Sequence, residues 1–501
     1  MRTLIKSTWP TIIRQLADGL TIYLACLFSN ILFLSDYRIL DILLPTLSLF
    51  VLLFLVFMPI LYSMGVYTFV RFVDKKTKIK TLIKASIYSA ITIIAIFLAL
   101  NYYFQQNFLL SDLIYSDISI SWALTLIGLI VSRLLANSYA DARSSGIEED
   151  TEKNCVLVIG GAGYIGSSLV SQLLKKDYKV KILDIFLFGE EPIVDFMDHE
   201  NIEIIKGDFR KIDDLVIAIS DCHSIVHLGG IVGDPACSVD ESLTKEINLT
   251  ATKIIGQIAK SAGVRRFIFA SSCSVYGAQD FILNEESETK PLSLYANTKI
   301  ASERILEELS DNSFAPIFLR FGTVFGFSGR TRFDLVVNLL TANAFFNKKM
   351  TVFGKDQIRP FVHVNDVARS ILCALETEFL NTEKLIFNIG SNDLNVTLFE
   401  LAEMVQSSVP DSEILVEDGG DDARNYHVSF DKAEKILNFK TDWSLEKGIK
   451  QVLDKLENGE INDYQSAMHS NVKHLNEEGL KVLNKEDSVN WEEMLLEESY
   501  N

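Results

Sequence analysis

The chain has 501 residues and a net charge of −19, and this length suffices for two or three domains. The charge is uneven, because residues 1–140 carry 11 Lys and Arg against 6 Asp and Glu, whereas the rest carries 36 against 60. The acidic remainder argues against a nucleic-acid partner. The six cysteines are scattered without a Cys-x-x-Cys or His-Cys cluster, so we expect no metal site and a reducing compartment.

Four long apolar segments precede residue 140. Each is close to the roughly 20 residues that a helix needs to cross a bilayer. A cleaved signal peptide would not be followed by three more such segments. The sequence therefore predicts an all-α transmembrane domain over residues 1–140, and the alternative is the buried helical bundle of a soluble domain. The four segments are residues 16–34, 43–62, 85–104 and 118–136.

Basic residues orient this domain. The N-terminus and the loop after the second segment are rich in Lys and Arg, whereas the loop after the third carries Asp112 and Asp117 and no base. Basic loops stay in the cytoplasm, so we predict that both ends are cytoplasmic and that the protein resides in the inner membrane. Residues 141–153 are polar without apolar periodicity, and we interpret them as a linker.

The stretch 155–184 predicts a dinucleotide site. An apolar strand leads into Gly160, Gly163 and Gly166, then a helical pattern, then a second apolar strand that ends on Asp184. The glycines permit a tight turn, and the helix N-terminus favours a pyrophosphate. A carboxylate at the position of Asp184 accepts hydrogen bonds from the ribose hydroxyls of NAD and repels the 2′-phosphate of NADP. The sequence thus favours NAD.

Short apolar strands alternate with helices from residue 155 onward, which predicts an α/β fold with a doubly wound parallel sheet of the Rossmann type. Further strands are expected at 202–205, 224–230 and 265–272. Ligands of such sheets bind at the carboxyl ends of the strands, so the residues at these ends are site candidates.

Two short motifs indicate chemistry at one of these ends. Ser272 lies at the end of the strand 265–272, and Tyr295 and Lys299 are four residues apart, on one face of a helix. An ammonium beside a phenol stabilises the phenolate and lowers its pKa from about 10. Tyr295 is therefore a candidate general base, with Ser272 bonded to the same substrate oxygen. The alternative for Tyr295 and Lys299 alone is a surface helix pair.

Residues 155–455 resemble the extended short-chain dehydrogenases/reductases of the nucleotide-sugar epimerase/dehydratase group. The resemblance rests on the motifs GGAGYIG, HLGG, ASSCSVYG, YANTK, LRFGTVFG and RPFVHVNDVA. It implies an extended domain over 154–457, with an NAD-binding core and a small C-terminal substrate-binding subdomain from about residue 320. It also implies a homodimer. The stretch 65–86 resembles the membrane portion of polysaccharide-biosynthesis enzymes, which implies glycan-assembly enzymes as partners at the lipid bilayer.

The resemblance assigns roles to individual residues. The implied catalytic set is Ser272, Tyr295 and Lys299. The implied cofactor-binding residues, with Asp208 contacting the adenine, are Gly160, Gly163, Tyr164, Ile165, Gly166, Asp184, Asp208, Phe209, Leu228, Gly229, Gly230, Asn248, Tyr295 and Lys299. The implied substrate-binding residues, with Arg359 on the nucleotide phosphates, are Ser272, Ser274, Thr323, Arg332, Arg359, Asp422 and Arg424.

Departures from the family pattern narrow the range of reactions and substrates expected of this chain. The 4,6-dehydratases carry Asp-Glu where this chain has Cys273 and Ser274, which are poor replacements for two carboxyl groups. The galactose epimerases usually place Asn at the position of Thr323 and Lys at that of Val232. The nucleotide-sugar pocket is therefore expected to differ from theirs. Arg330 and Arg332 suit a diphosphate, or else they are solvated loop charges.

We therefore expect a membrane-anchored, NAD-dependent 4-epimerase of UDP-glucose or UDP-N-acetylglucosamine type that acts in surface polysaccharide synthesis. Three alternatives remain: a dehydrogenase, reductase or dehydratase that forms a 4-keto sugar; an epimerase of a polyprenyl-linked sugar; and a non-catalytic sugar-nucleotide-binding scaffold. His227 and His363 are expected to be packed rather than metal-bound. The acidic tail, residues 458–501, is expected to form short helices on the catalytic domain or to be partly disordered.

Overall fold

The computed structural model describes residues 2–33, 39–63, 75–103, 112–146, 155–311, 313–379, 385–417 and 426–484. The chain divides into two compact units, Met1–Asp150 and Thr151–Asn501.

The described part of the first unit consists of long helices, and each of the four predicted apolar segments coincides with one of them. Two helices contain an 18-residue stretch that is long and apolar enough to cross a membrane, Thr46–Ser63 and Ile118–Leu135, whereas the apolar stretch Thr81–Ile96 is shorter. The last helix runs on into the residues 141–153 that we interpreted as a linker. The helices are α1 (Arg2–Phe33), α2 (Ile39–Ser63), α3 (Lys75–Tyr103) and α4 (Asp112–Gly146).

Apolar side chains cover the outside of this unit and also fill much of its interior. Leu16, Leu55 and Leu135 are 66, 65 and 65% exposed. The interior holds an apolar cluster that contains Leu53. It also holds Asp18, which forms a 2.6 Å ion pair with Arg133, and Asn30, whose Nδ2 donates to the Thr46 Oγ1 at 3.0 Å. An apolar exterior with paired polar groups inside is the arrangement expected of helices that face lipid.

The second unit alternates strands and helices. The strands are β1 (Cys155–Ile159), β2 (Lys179–Asp184), β3 (Ile202–Lys206), β4 (Ser224–His227), β5 (Arg266–Ser272), β6 (Ile282–Leu283), β7 (Ala315–Phe321), β8 (Thr323–Phe325), β9 (Lys349–Phe353), β10 (Ile358–His363), β11 (Ile386–Ile389), β12 (Asn395–Thr397), β13 (Glu413–Glu417) and β14 (His427–Val428). The helices are α5 (Tyr164–Leu174), α6 (Ile212–Ile219), α7 (Asp234–Cys237), α8 (Glu241–Lys245), α9 (Ala251–Ser261), α10 (Leu294–Glu308), α11 (Val336–Asn347), α12 (Val364–Glu376), α13 (Leu398–Ser408), α14 (Asp431–Leu437), α15 (Leu445–Glu457), α16 (Asn471–His474) and α17 (Leu480–Leu483).

The main sheet has seven parallel strands in the order β11-β7-β5-β4-β1-β2-β3. In its centre, Val158 of β1 is paired with Ile182 of β2 on one side and Val226 of β4 on the other. All five residues of β1 are buried, as expected of a parallel strand covered by helices on both faces. The prediction of a Rossmann-type parallel sheet is confirmed. The strand order reverses between β1 and β4, and ligands of open α/β sheets bind at the carboxyl ends of the strands at such a point.

A smaller lobe follows β7. Strands β12, β10 and β8 form a three-stranded sheet, and β13 pairs with β9. Helices α11, α13 and α15 pack against these strands around a separate apolar cluster that contains Phe325, Phe361 and Leu401. The intervening α12 and β11 return to the main sheet, so the chain crosses between the two parts more than once.

Candidate active site

The glycine-rich turn between β1 and α5 is tightly packed. Gly160 has a φ of +83°, and its carbonyl oxygen accepts from the Gly163 amide at 3.2 Å. A Cβ on Gly166 would lie 2.2 Å from that oxygen, so glycine is required for α5 to start this close to the turn. Backbone amides at the start of such a helix suit a pyrophosphate group.

Asp184 lies at the end of β2, beside the glycine-rich turn. Its carboxylate accepts from the amide of Ala162 at 2.9 Å and from that of Phe186 at 2.8 Å. Burial raises the pKa of Asp184, and these backbone hydrogen bonds oppose the shift. The acid and the turn are thus held together, as the sequence pattern predicts for a ribose-binding carboxylate.

The loops after β3 and β4 follow the carboxyl ends of their strands, at the same edge of the main sheet as the glycine-rich turn. The side chain of Asp208 is bonded to Arg210, whose Nη2 lies 2.7 Å from Oδ2. A Cβ on Gly229 would lie 2.7 Å from the ring of Phe209, so glycine is required where the two loops meet. Leu228 is half-buried against the main core.

Asn248 shapes the same region. It lies in a single wide turn of π-helix, Glu246–Thr250, which precedes α9. Its side chain accepts from the Ile231 amide and donates to the Ile231 carbonyl, both at 2.8 Å. It therefore fixes the backbone just beyond Gly230. The resemblance implied a cofactor-binding role for Asn248, but the sequence motif did not reveal this contact with Ile231.

The three predicted catalytic residues lie at one end of β5. The Nζ of Lys299 donates to the Ala270 carbonyl at 2.7 Å, two residues before Ser272, and it lies 5.6 Å from the ring centroid of Tyr295. The Ser272 Oγ accepts from the Ser274 amide at 3.1 Å and so caps the short turn that follows. Burial lowers the pKa of Lys299 to about 8. Its ammonium therefore exists at neutral pH but is lost as the pH rises through 8.

A buried polar network supports this end of the sheet, and sequence analysis missed it. Glu303, one turn beyond Lys299 on α10, accepts from the Ser271 hydroxyl and forms a two-pronged ion pair with Arg320, with N–O distances of 3.0 and 2.6 Å. Arg320 also donates to the Tyr276 hydroxyl at 2.9 Å, and Tyr276 donates to Asn388. The spacing of four from Lys299 was the available signal, since it places Glu303 on the same helix face.

Cys273 and Ser274, which follow Ser272 in the chain, are both buried. The thiol of Cys273 donates to the Arg320 carbonyl at 3.2 Å, and burial raises its pKa, so a thiolate nucleophile is disfavoured. His227 and His363 are also buried, with lowered pKa values, and they contact Thr252 and Gln451. No group of three residues suited to a metal ion occurs in the described part of the chain.

Ser272 and Ser274 of the predicted substrate set lie at the end of β5, and other members lie after β7. Thr323 starts β8, and Arg359 is buried on β10, 5.7 Å from the ring of Tyr426. Arg332 forms a two-pronged ion pair with Asp334, at 2.9 and 3.1 Å. Asp422 and Arg424 lie outside the described residues.

The sequence was compared with known families and proteins. The NAD dependent epimerase/dehydratase family matches residues 156–390. An uncharacterized protein of Methanocaldococcus jannaschii is 30% identical over 313 residues, which cover 59% of this chain and 94% of that protein. The UDP-glucose 4-epimerase of Bacillus subtilis is 26% identical over 349 residues, 62% of this chain and 99% of that enzyme.

Solved structures show the same similarity. MoeE5 in complex with UDP-glucose and NAD is 26% identical, with a TM-score of 0.54, over 61% of this chain and 99% of that one. The UDP-glucuronic acid 4-epimerase of Bacillus cereus, in complex with UDP-glucuronic acid and NAD, is 25% identical, with a TM-score of 0.54 and the same coverage.

Proposed function

The chain belongs to the NAD dependent epimerase/dehydratase family, and we propose that it is a nucleotide-sugar 4-epimerase anchored to a membrane by its N-terminal helices. It is an NAD-dependent enzyme. Relatives named as UDP-glucose 4-epimerases and neighbours with bound UDP-sugars support a UDP-sugar as the substrate.

The observation that carries this proposal is the placement of Tyr295, Lys299 and Ser272 at the end of β5. Tyr295, as the phenolate that the Lys299 ammonium stabilises, takes the proton of a sugar hydroxyl, in this proposal the one at C4. Ser272 bonds the same oxygen. When bound, NAD would supply a reversible hydride acceptor for the sugar carbon. Tyr295 would return its proton to that oxygen when C4 regained its hydrogen on the opposite face, and C4 would then be inverted.

The cofactor contacts follow the edge of the main sheet. Gly160, Gly163 and Gly166, with the amides of Tyr164 and Ile165, would cradle the pyrophosphate, and Asp184 would hold the ribose. Asp208 and Phe209 of the β3 loop would hold the adenine, and the β4 loop would hold the nicotinamide half. Asn248 acts on that half through Ile231, whose backbone it holds. The β4 loop contributes Leu228, Gly229 and Gly230.

Cys273 and Ser274, the two residues that follow Ser272, favour epimerisation over dehydration. Elimination of water needs an acid and a base beside the oxidised carbon. Cys273 is buried with a raised pKa, and Ser274 is a hydroxyl. Neither supplies a carboxyl group.

The substrate would lie between the β5 end and the smaller lobe. Thr323, Arg332 and Arg359 are the candidates within the described residues, with Ser274 near the sugar. Arg359 is buried and its guanidinium suits a diphosphate. Asp422 and Arg424 remain proposals for the nucleotide.

The apolar exterior of the first unit supports membrane anchoring. Side chains such as Leu16, Leu55 and Leu135 would face lipid, and the Asp18–Arg133 ion pair would be shielded inside. An anchor at the cytoplasmic face suits glycan assembly on a membrane and the inner-membrane location.

Incubation of the purified protein with NAD and UDP-glucose or UDP-N-acetylglucosamine tests the reaction. We expect the sugar to be interconverted with its C4 epimer without a lasting rise in NADH absorbance. A lasting rise would establish the oxidoreductase alternative instead. If neither occurs while nucleotide sugar still binds, the scaffold alternative is supported.

A reporter fused after Asn501 tests the topology. We expect it to be active in the cytoplasm and to sediment with membranes, because the basic loops place both ends inside. A periplasmic signal would contradict the topology.

Full activity of a truncated protein beginning near Glu152 on soluble UDP-sugars would argue against a polyprenyl-linked substrate.

A further inference from the structure

The C-terminal segment, residues 461–484, lies across the loops that we assign to the cofactor. The Nη2 of Arg210, in the β3 loop, donates to the Leu483 carbonyl at 2.8 Å. The Nδ2 of Asn471 donates to the carbonyl of Val232, in the β4 loop, at 2.9 Å. The catalytic fold alone gives no reason for a tail at this position.

The segment also holds Arg330, which belongs to the loop after β8. The Nε of Arg330 donates to the Met468 carbonyl at 3.1 Å, and its Nη1 donates to the Asn471 Oδ1 at 2.6 Å. The guanidinium lies 3.5 Å above the ring of Phe188, in the β2 loop. Arg330 is thus fixed between the tail and the loop that follows Asp184.

One end of this guanidinium has no acceptor within the part of the chain that the structure describes. Arg330 is only 6% exposed, and its Nη2 is buried with no hydrogen-bond partner among the described residues. The neighbouring Arg332 differs, because Asp334 neutralises it through two hydrogen bonds. Burial, and then repulsion from Arg332, lowers the pKa of Arg330 to about 9. A buried cation without a carboxylate partner is costly, and an anionic ligand would offset that cost.

The loop that carries Arg330 is tied to the glycine-rich turn. Tyr164, the first residue of α5, donates its hydroxyl to the Gly326 carbonyl at 2.8 Å. On the other side, Arg332 approaches Gly233 in the β4 loop, with its Nη2 3.9 Å from the place of a Cβ. The loop that carries Arg330 is therefore tied to the glycine-rich turn at one point and lies beside the β4 loop at another.

We propose that Arg330, positioned by the C-terminal segment, is a ligand for the diphosphate of a bound nucleotide. The proposal rests on the proposed function for the identity of the nucleotides. Two sources share this chemistry, the pyrophosphate of the dinucleotide and the diphosphate of the nucleotide sugar. A guanidinium that is held on two sides, and whose third nitrogen has no acceptor among the described residues, offers charge-assisted hydrogen bonds to such a group.

Calorimetric titration of the full-length protein with NAD and, separately, with UDP distinguishes the sources. We expect Arg330→Gln to weaken binding of at least one of them by about tenfold to a hundredfold, since hydrogen bonds to charged groups are lost. Weakening of NAD alone assigns the dinucleotide, and weakening of UDP alone assigns the nucleotide sugar. Asn471→Ala is expected to weaken the same ligand less, because it releases the Arg330 Nη1 and the Val232 carbonyl but keeps the guanidinium itself. Exposed Lys481→Gln, in the same segment, is the matched control and is expected to change neither affinity.

The thermal midpoint separates ligand binding from a structural role. Without ligand, Arg330→Gln is expected to melt no lower than the native protein, because it removes a poorly compensated buried cation, whereas its stabilisation by the ligand is reduced. Should the variant fail to fold, Arg330→Lys, which keeps the charge but loses the planar fork, gives the affinity test. Unchanged affinity for both ligands in the soluble Arg330 variant would overturn the proposal. Because the affinities for NAD and UDP are measured without turnover, the role of Arg330 can be tested even if the protein proves not to be an epimerase.

Discussion

Replacement of Tyr295 by phenylalanine is expected to lower kcat for sugar interconversion by about 10²- to 10⁴-fold, because the general base is removed while the ring is kept. The Lys299 ammonium remains beside the ring, 5.6 Å from its centroid, and its bond to the Ala270 carbonyl does not involve the phenol. Binding of NAD is therefore expected to change little. Steady-state kinetics, with the bound NAD determined on the same preparation, provide the measurement.

The half-buried Tyr178, at the end of the loop before β2, supplies a matched control. Tyr178→Phe makes the same chemical change far from the β5 end and is expected to keep the turnover of the native enzyme. If Tyr295→Phe retained that turnover as well, the assignment of the base would be wrong. A loss of activity together with loss of NAD would instead indicate a binding role.

The second large effect is a loss in the free energy of unfolding, expected when Glu303 is replaced by glutamine. Glu303→Gln leaves the Arg320 guanidinium buried without a carboxylate, since Arg320 and Glu303 are 3 and 4% exposed. Breaking a buried ion pair from one side typically costs about 3–5 kcal/mol. We expect the urea midpoint to fall accordingly. Activity is expected to fall too, because a single amide oxygen must then accept from both Arg320 and Ser271, which is next to Ser272.

Two comparisons isolate the buried ion pair. Glu460→Gln removes a carboxylate from a half-exposed pair with Lys455 and is expected to cost about 0–1 kcal/mol. The double replacement Glu303→Leu with Arg320→Met removes both charges and is expected to be more stable than Glu303→Gln. A loss in Glu303→Gln no larger than that in Glu460→Gln would show that the pair does not stabilise the fold.

Patterns that are local in sequence predicted the fold well. The apolar run before Gly160 became the fully buried central strand β1, and the runs ending on Asp184 and Ser272 became β2 and β5. A parallel strand covered on both faces is recognisable because every residue in it is apolar. The helix of Tyr295 and Lys299 was placed by its spacing of four.

Interactions between distant positions could not be predicted. Arg320 follows Glu303 by 17 residues, and their pairing depends on how α10 packs against β7. In the first unit, Asp18 lies in the first apolar segment and is buried against Arg133, 115 positions later. Such pairs depend on which helix faces meet.

The tail illustrates a different limit. Its polar composition suggested short helices or partial disorder, and the described residues 461–484 form short helical turns over the cofactor loops. Leu475 and Leu483 are buried with Ile231 and Cys237. Two well-placed leucines anchor a segment too poor in apolar residues to form a core of its own, so composition alone did not reveal where it binds.

The central claim is that C4 of a nucleotide sugar loses and regains its hydrogen within one closed site. The most direct measurement repeats the incubation of the purified protein and NAD with UDP-glucose carrying deuterium at C4. The account predicts UDP-galactose that retains the deuterium at C4, with no lasting NADH absorbance. Product in which the C4 deuterium has been exchanged for solvent hydrogen would contradict it.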